Sequence, residues 1–163
     1  MSVAHPVASD HQLARLLQIG MVLEEVVEAR SAKHAQTLGE DELDDELYAL
    51  LEHAAEESAD HRARLEALVD ELDADPVPFD QIETLVEAQY GQTKPEDFDG
   101  VLYDQLCNEE TAYKFYDDVI AAIETSDASF GIERDRLVTV LSAIREEEAE
   151  GVEEVTKLME TRA

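Results

Sequence analysis

Apolar residues recur at steps of three and four positions along four long stretches of this chain. Such spacing places apolar side chains on one face of an α-helix. The pattern predicts helices over about residues 12–38, 41–72, 95–125 and 132–160. No stretch shows the alternation of apolar and polar residues that is typical of a β-strand. The sequence therefore predicts an all-α protein that is built from four amphipathic helices.

The breaks between these stretches predict how the helices pair. Gly39 stops the first helix and leaves a link of about three residues, so the first two helices should form an antiparallel pair. Residues 73–95 contain three of the four prolines and are interpreted as a long crossover that carries a short helix. Two helical hairpins joined by a crossover make a four-helix bundle. We expect one domain over residues 1–163, with a disordered tail over residues 1–8.

The net charge of the chain limits the cellular environment and the binding partners that we expect for it. The sequence has 41 acidic and 12 basic residues, which gives a formal net charge of −29. Self-repulsion of this size is tolerated when salt screens it, and the composition resembles that of a cytoplasmic protein from an extreme halophile. Direct binding to nucleic-acid phosphates is not expected at this charge. An acidic mimic of nucleic acid remains an alternative.

Localisation and redox setting follow from what the sequence lacks. The first ten residues have neither the basic region nor the apolar block of a signal peptide, and no apolar run approaches the roughly 18 residues of a membrane helix. The single cysteine, Cys107, rules out an internal disulfide. We therefore expect a cytoplasmic protein that binds no membrane.

Polar residues interrupt the apolar stripes near the middle of each helix. In the fourth helix, Glu148 and Gly151 replace one apolar turn. A glutamate on a core face is costly unless it is paired, protonated or bound to a metal, and a glycine gives up about 1 kcal/mol of helix propensity relative to alanine. Because both exceptions fall on one turn, they indicate a site or the remains of one.

The interruptions in the four helices fall at one level of the predicted bundle. At roughly 1.5 Å per residue, counting from the turns places Glu24, Ser58, Glu109 and Glu148 at similar heights, with His61 close to Ser58 on the same stripe. Carboxylates and an imidazole on facing helices suit iron, manganese or zinc. The structural alternative is a hydrogen-bonded core histidine, with Arg30 or Arg64 paired to an inward carboxylate.

Two tyrosines and a further histidine are also predicted to point inward. Tyr113 and Tyr116 lie on the predicted inner face of the third helix and should pack beside this level. His34 lies about ten residues beyond Glu24 and therefore belongs to a different layer.

Three stretches of the sequence carry a family resemblance. The stretch from Glu109 to Tyr116, EETAYKFY, resembles the third-helix signature of rubrerythrin-like proteins in the ferritin-like superfamily. Ser58-Ala-Asp-His61 and Glu148-Ala-Glu-Gly151 fall where these proteins carry Glu-x-x-His. The resemblance covers nearly the whole chain and implies a ferritin-like four-helix bundle.

The resemblance also implies a metal site and a role. The ligands would be Glu24, His61, Glu109 and Glu148, holding iron or manganese. Ser58 and Gly151 replace a bridging glutamate and a histidine, so the two-metal centre would be incomplete.

Glu57 lies one turn before His61 and is placed to swing in as a substitute. The implied role is iron or reactive-oxygen handling, and an enzyme of this kind would be an oxidoreductase of the di-iron carboxylate type. The alternative is a metal-free interaction or assembly protein. Val22, Val26 and Phe115 lie off the main stripes and leave room for a homodimer face.

Overall fold

A computed structural model describes residues 7–38, 45–75 and 98–161 of the chain. These residues form four helices: α1 (Asp10–Thr37), α2 (Asp45–Glu71), α3 (Phe98–Glu124) and α4 (Arg134–Thr161). The prediction of an all-α four-helix bundle is confirmed. The short helix predicted within the crossover lies outside the described residues. None of the described helices combines the length and the apolar character that crossing a membrane requires.

The helices pack as two antiparallel pairs. α1 packs along α2 and α3 packs along α4, while α1 also contacts α3 and α2 also contacts α4. At one end of the bundle, the side chain of Asp10 accepts a hydrogen bond from the backbone N–H of Asp73, just beyond α2. At the other end, Val101 near the start of α3 packs with Leu38. The end of α2 and the start of α3 therefore lie at opposite ends of the bundle, which is the geometry of a crossover connection.

The first helix begins with a side-chain cap. The hydroxyl of Ser9 accepts a hydrogen bond from the backbone N–H of Gln12 at 3.2 Å, and the Gln12 side chain accepts one from the backbone N–H of Ala8 at 2.7 Å. These bonds satisfy N–H groups that would otherwise lack partners at the helix start. Val7 is buried in the core. Val7 therefore packs within the fold, although the sequence placed it in the predicted tail.

The buried apolar side chains of the described residues form two clusters. The main cluster lies at the end of the bundle where α1 begins, and it is centred on Leu17, Leu68, Tyr116 and Leu141. The end cluster lies at the opposite end and consists of Leu38, Leu47, Leu51, Val101, Leu102, Val155 and Leu158. Between the two clusters the inner faces of the helices carry buried polar side chains.

Two of the three residues that suggested room for a homodimer face are buried within the chain itself, and a homodimer stays a prediction. Val22 and Phe115 are buried in the main cluster, and Val26 packs against it. Gly20 explains the position of Phe115, because a Cβ at Gly20 would lie only 3.1 Å from Phe115 Cε1. The absence of a side chain at Gly20 thus lets the Phe115 ring approach α1.

Candidate metal centre

Each of the four helices contributes a buried polar side chain to one level between the two apolar clusters. These side chains are Glu24 from α1, His61 from α2, Glu109 from α3 and Glu148 from α4. The structure thus brings all four predicted site residues into one layer, called here the polar layer. Their role as metal ligands stays a prediction.

Three members of the polar layer form a group that could hold a metal ion. Each of Glu24, His61 and Glu148 offers one ligand atom, and these atoms all lie within 4.8 Å of one another. His61 Nδ1 is 3.2 Å from Glu24 Oε1 and 3.0 Å from Glu148 Oε1. Two carboxylates and one imidazole nitrogen therefore converge on one point, and this donor set suits iron, manganese or zinc.

A second group of three carboxylates adjoins the first. Glu57, Glu109 and Glu148 also offer ligand atoms that lie within 4.8 Å of one another. Glu57 is absent from the four predicted ligands, although its position one turn before His61 marked it as a substitute. The structure brings Glu57 into the layer from its half-buried position on α2. Glu148 belongs to both groups.

The two departures from the resembled motif have different structural results. Ser58 is buried, but it is not part of either candidate metal-binding group. Gly151 leaves a space that the Glu109 side chain fills: a Cβ at Gly151 would lie 2.5 Å from Glu109 Oε2 and 2.7 Å from Glu109 Cδ. The missing histidine is therefore not an empty position, because a neighbouring carboxylate occupies it.

One buried carboxylate oxygen of the polar layer lacks a hydrogen-bond partner among the described residues. Glu24 is 1 % exposed, and its Oε2 atom has no hydrogen-bond partner among the described residues. A buried carboxylate oxygen without a donor is costly, and native structures satisfy nearly all such atoms with protein, water or an ion. An unpartnered oxygen on a carboxylate that also contacts His61 through Oε1 fits a bound cation.

Two partly exposed side chains, Glu147 and Arg64, hold the His61 ring in place through its Nε2 atom. His61 Nε2 lies 3.0 Å from Glu147 Oε2, and Arg64 Nη2 donates to the same oxygen at 2.6 Å. Arg64 also donates to Asp60. When Nε2–H donates to Glu147, the lone pair of a neutral His61 is on Nδ1, facing the other candidate ligands. A carboxylate that fixes the tautomer in this way is typical of metal-binding histidines.

The support from Glu147 was missed by the sequence interpretation, which considered Arg64 only as a partner for an inward carboxylate. Arg64 instead pairs with Glu147, which is 37 % exposed. The sequence feature that could have identified Glu147 is its position directly before Glu148 on the same helix.

Tyr116 and Tyr113 have different positions in the structure, although both were predicted beside the polar layer. The fully buried hydroxyl of Tyr116 donates to Glu24 Oε1 at 2.6 Å. Burial, then the charges of the nearby glutamates, raise the pKa of Tyr116 well above its usual value. Tyr113 is 37 % exposed, so its predicted position is wrong. Of these two tyrosines, only Tyr116 therefore orients a candidate ligand.

Crowding of carboxylates in the layer shifts their protonation. Burial, then the charge of Glu24, raises the pKa of Glu148 well above its usual value. Burial also raises the pKa of Glu109, and it raises the pKa of Glu57 to about 7. Burial alone would lower the pKa of His61, but its hydrogen bond to Glu24 and the surrounding negative charge raise it overall. In the absence of a cation, protons therefore compensate part of the negative charge.

A separate buried polar cluster joins α1 to α3 further along the bundle. His34 Nε2 lies 2.8 Å from Asp104 Oδ2, and Arg30 Nη1 lies 3.6 Å from Asp104 Oδ1. Arg30 also donates to Asn108 at 3.0 Å. His34 was predicted to lie outside the level of Glu24, and its partners are those of a structural ion-pair cluster. Arg30 does pair with an inward carboxylate, as the structural alternative proposed.

Comparison with models of known protein families, with curated proteins and with solved structures finds no significant match for this chain.

Proposed function

We propose that this protein binds iron or manganese through Glu24, His61 and Glu148 and handles iron or reactive oxygen as a ferritin-like, rubrerythrin-like protein. The observation that carries this proposal is the orphaned Oε2 of the buried Glu24 carboxylate, whose other oxygen, Oε1, lies 3.2 Å from His61 Nδ1. A cation at this point would satisfy the oxygen that no donor among the described residues reaches.

The charges and the coordination number of the group support a divalent ion. Two ionised carboxylates, Glu24 and Glu148, and a neutral His61 carry a charge of −2 in total, which one divalent ion compensates. Three protein ligands leave coordination positions open, as in catalytic rather than closed structural sites. A bound iron or manganese ion would supply redox chemistry toward oxygen species, so an active protein would be an oxidoreductase of the di-iron carboxylate type.

The side chains around the group hold the ion and shape its surroundings. Glu147 and Arg64 fix the His61 ring so that Nδ1 faces the carboxylates. The Tyr116 hydroxyl orients the Glu24 carboxylate by donating to Oε1. The main cluster and the end cluster exclude water above and below the layer, and electrostatic interactions strengthen in such a water-poor setting.

The second candidate is a metal-free bundle that acts in interaction or assembly. It is favoured by one observation, the raised pKa of Glu109 and of Glu148, for which burial is the main cause. Glu109 and Glu148 also interact through a side-chain hydrogen bond, so one proton would satisfy both without a metal. The orphaned Oε2 of Glu24, which no donor among the described residues reaches, weighs against this candidate.

Metal analysis of the protein purified and reconstituted in molar salt tests the proposal. We expect bound iron or manganese in the wild type and a loss of binding in His61→Gln. His11→Gln is the matched control, because His11 is exposed on α1. Less than about a tenth of an equivalent of any transition metal after reconstitution would contradict the proposal. A melting temperature that a chelator leaves unchanged would support the metal-free candidate.

A further inference from the structure

We infer that a cleft between α1 and α3 binds one small monovalent anion, of about the size of chloride, through the guanidinium of Arg30. No candidate metal ligand lines this cleft. The inference therefore goes beyond the proposed function and does not depend on whether the polar layer binds a metal ion.

The cleft combines apolar walls with a few polar groups, and it is small. Its apolar lining residues are Leu23, Val26, Val27 and Ala112, and its polar ones are Arg30, Asn108 and Thr111. Its volume of about 20 Å³ is close to the minimum of roughly 10–15 Å³ that admits one water molecule. The space therefore suits a single ion or water molecule rather than an organic ligand.

Arg30 has more hydrogen-bonding capacity than its protein partners use. Its Nη1 atom donates to Asn108 Oδ1 at 3.0 Å, whereas its buried Nη2 atom has no partner among the described residues. The guanidinium is planar and rigid, so Nη2 is held next to the nitrogen that contacts Asn108. A buried N–H group without an acceptor is costly. The group that would satisfy Arg30 is therefore an acceptor.

The protein compensates the charge of Arg30 only in part. Among the described residues, the one carboxylate at salt-bridge distance is that of Asp104, whose Oδ1 lies 3.6 Å from Arg30 Nη1. The other oxygen of Asp104 lies 2.8 Å from His34 Nε2, so this carboxylate is shared. A water molecule would accept a hydrogen bond from Arg30 but bring no charge, whereas an anion would supply both an acceptor and a negative charge.

A second unpartnered group in the same interface is also a donor. Gln105 is fully buried, and its Oε1 atom accepts a hydrogen bond from Ser31 at 3.3 Å. Its Nε2 atom has no partner among the described residues. The polar layer shows the opposite imbalance, because its unpartnered atom is the Oε2 oxygen of Glu24. The interface between α1 and α3 thus lacks acceptors, which favours an anion over a cation.

The net charge of the chain determines when the anion binds. A formal charge of −29 repels anions in dilute buffer. In molar salt the Debye length falls to roughly 3 Å, so acidic side chains outside the cleft act only weakly on an ion within it. We therefore expect binding at high chloride concentration. Because the unfolded chain has no such cleft, binding would stabilise the fold through chloride itself, in addition to ionic strength.

Broadening of the chlorine nuclear magnetic resonance signal tests the inference. Chloride replaces acetate stepwise at a constant molar sodium concentration, because acetate exceeds the volume of the cleft. Arg30→Gln removes the guanidinium. Arg15→Gln is the matched control, since Arg15 is exposed on the same helix and the charge change is identical. Thr111→Val removes one hydroxyl and keeps the shape of the side chain. Urea unfolding under the same conditions shows whether each variant folds.

We expect saturable broadening in the wild type and in Arg15→Gln, and a loss of most of it in Arg30→Gln. Thr111→Val should bind chloride roughly fivefold more weakly, as the loss of one hydrogen bond predicts. Exchange of acetate for chloride should raise the urea midpoint of Arg15→Gln more than that of Arg30→Gln.

Three results would overturn the inference. The first is an absence of saturable broadening in the wild type, which would assign the cleft to water. The second is equal broadening in Arg30→Gln and Arg15→Gln, which would place the bound chloride elsewhere on the protein. The third is an unchanged chloride affinity in Thr111→Val, which decides the question even if Arg30→Gln does not fold.

Discussion

The carboxylate of Glu109 occupies the space into which a side chain at Gly151 would project. A Cβ built at Gly151 would lie 2.5 Å from Glu109 Oε2, closer than real side chains approach. The two residues face each other from α3 and α4. Because one residue fills the space that the other leaves, their identities are linked: a larger residue at 151 requires a different position for Glu109.

This relationship predicts the effect of Gly151→Ala. The new methyl group should displace the Glu109 carboxylate, which forms a side-chain hydrogen bond with Glu148. Loss of this outer partner should weaken Co²⁺ binding by Glu24, His61 and Glu148 by about tenfold or more. The substitution also gains up to about 1 kcal/mol of helix propensity, so the variant should remain folded. Absorbance titration with Co²⁺ in molar salt measures the effect. Thr156→Ala, at an exposed position of α4, is the control, and a Gly151→Ala affinity equal to that of the control would refute the linkage.

Support of His61 by Glu147 predicts a graded loss of metal affinity. Glu147→Ala removes the acceptor for Nε2–H and should weaken Co²⁺ binding by about 10- to 100-fold, as loss of an outer carboxylate partner typically does. Glu147→Gln keeps a carbonyl acceptor and should weaken binding less. Absorbance titration with Co²⁺ gives the affinities. Glu150→Ala is the control, because Glu150 is exposed on the same helix. Equal affinities of all three variants would show that Glu147 does not position His61.

The crowded carboxylates predict how the metal-free protein responds to pH. The folded state holds protons on Glu148 and Glu109 at pH values where the unfolded chain has lost them, because the folded-state pKa of both groups is raised. Stability should therefore fall as pH rises above about 4.5, and Glu57 extends this fall to about pH 7. His61 acts in the same direction: its raised pKa contributes stability at low pH that is lost as pH rises through the folded-state value.

Urea unfolding of the chelated protein in molar salt at several pH values measures this dependence. In Glu148→Gln one titrating group is gone, so stability should fall less steeply with pH than in the wild type. The comparison with this variant separates the effect of protonation in the polar layer from the effect of general self-repulsion in an acidic chain. Metal binding should show the opposite trend, because a cation must displace the protons and its affinity rises with pH. A wild-type stability that increases from pH 5 to pH 8 would contradict the assignment.

The cluster around Asp104 predicts a variant with a stability defect and intact metal binding. Asp104→Ala leaves His34 and Arg30 without their shared carboxylate in a buried position. Breaking such a pair costs about 3 kcal/mol, because a buried polar group keeps its desolvation penalty and loses its partner. Urea unfolding measures the loss, and Glu110→Ala, at an exposed position of α3, is the control. Co²⁺ affinity should be unchanged, and a parallel loss of affinity would show that the two polar clusters are coupled.

Periodicity and residue counting predicted the bundle and its polar layer. The apolar steps located the four helices, and a constant rise per residue placed Glu24, His61, Glu109 and Glu148 at one level before any side chain was positioned. The same reasoning could not place Glu57, because a long flexible side chain reaches the layer from the flank of its helix. Its entry depends on the space that Ser58 and the neighbouring helices leave.

The set of α3 residues that point into the core was predicted less accurately. Tyr113 was assigned to the inner face and is exposed, whereas Asp104 was not selected and is buried. Apolar residues such as Phe115 and Val119 widen the stripe of this helix, so its rotation is poorly defined by sequence. In a chain with 41 acidic residues, a single aspartate also gives little indication of burial. Its pairing with His34 becomes visible only when α1 and α3 are placed together.

The division of the core into two apolar clusters has a consequence for ion exchange. Among the described residues, the end cluster contains seven buried side chains and the main cluster contains 22. Local opening costs least where the fewest apolar contacts must be broken, so we expect the end cluster to open more often than the main cluster. Such opening would bring solvent to the polar layer while the main cluster holds the four helices in register. If the layer binds a metal ion as we propose, that ion would exchange through this end of the bundle without global unfolding.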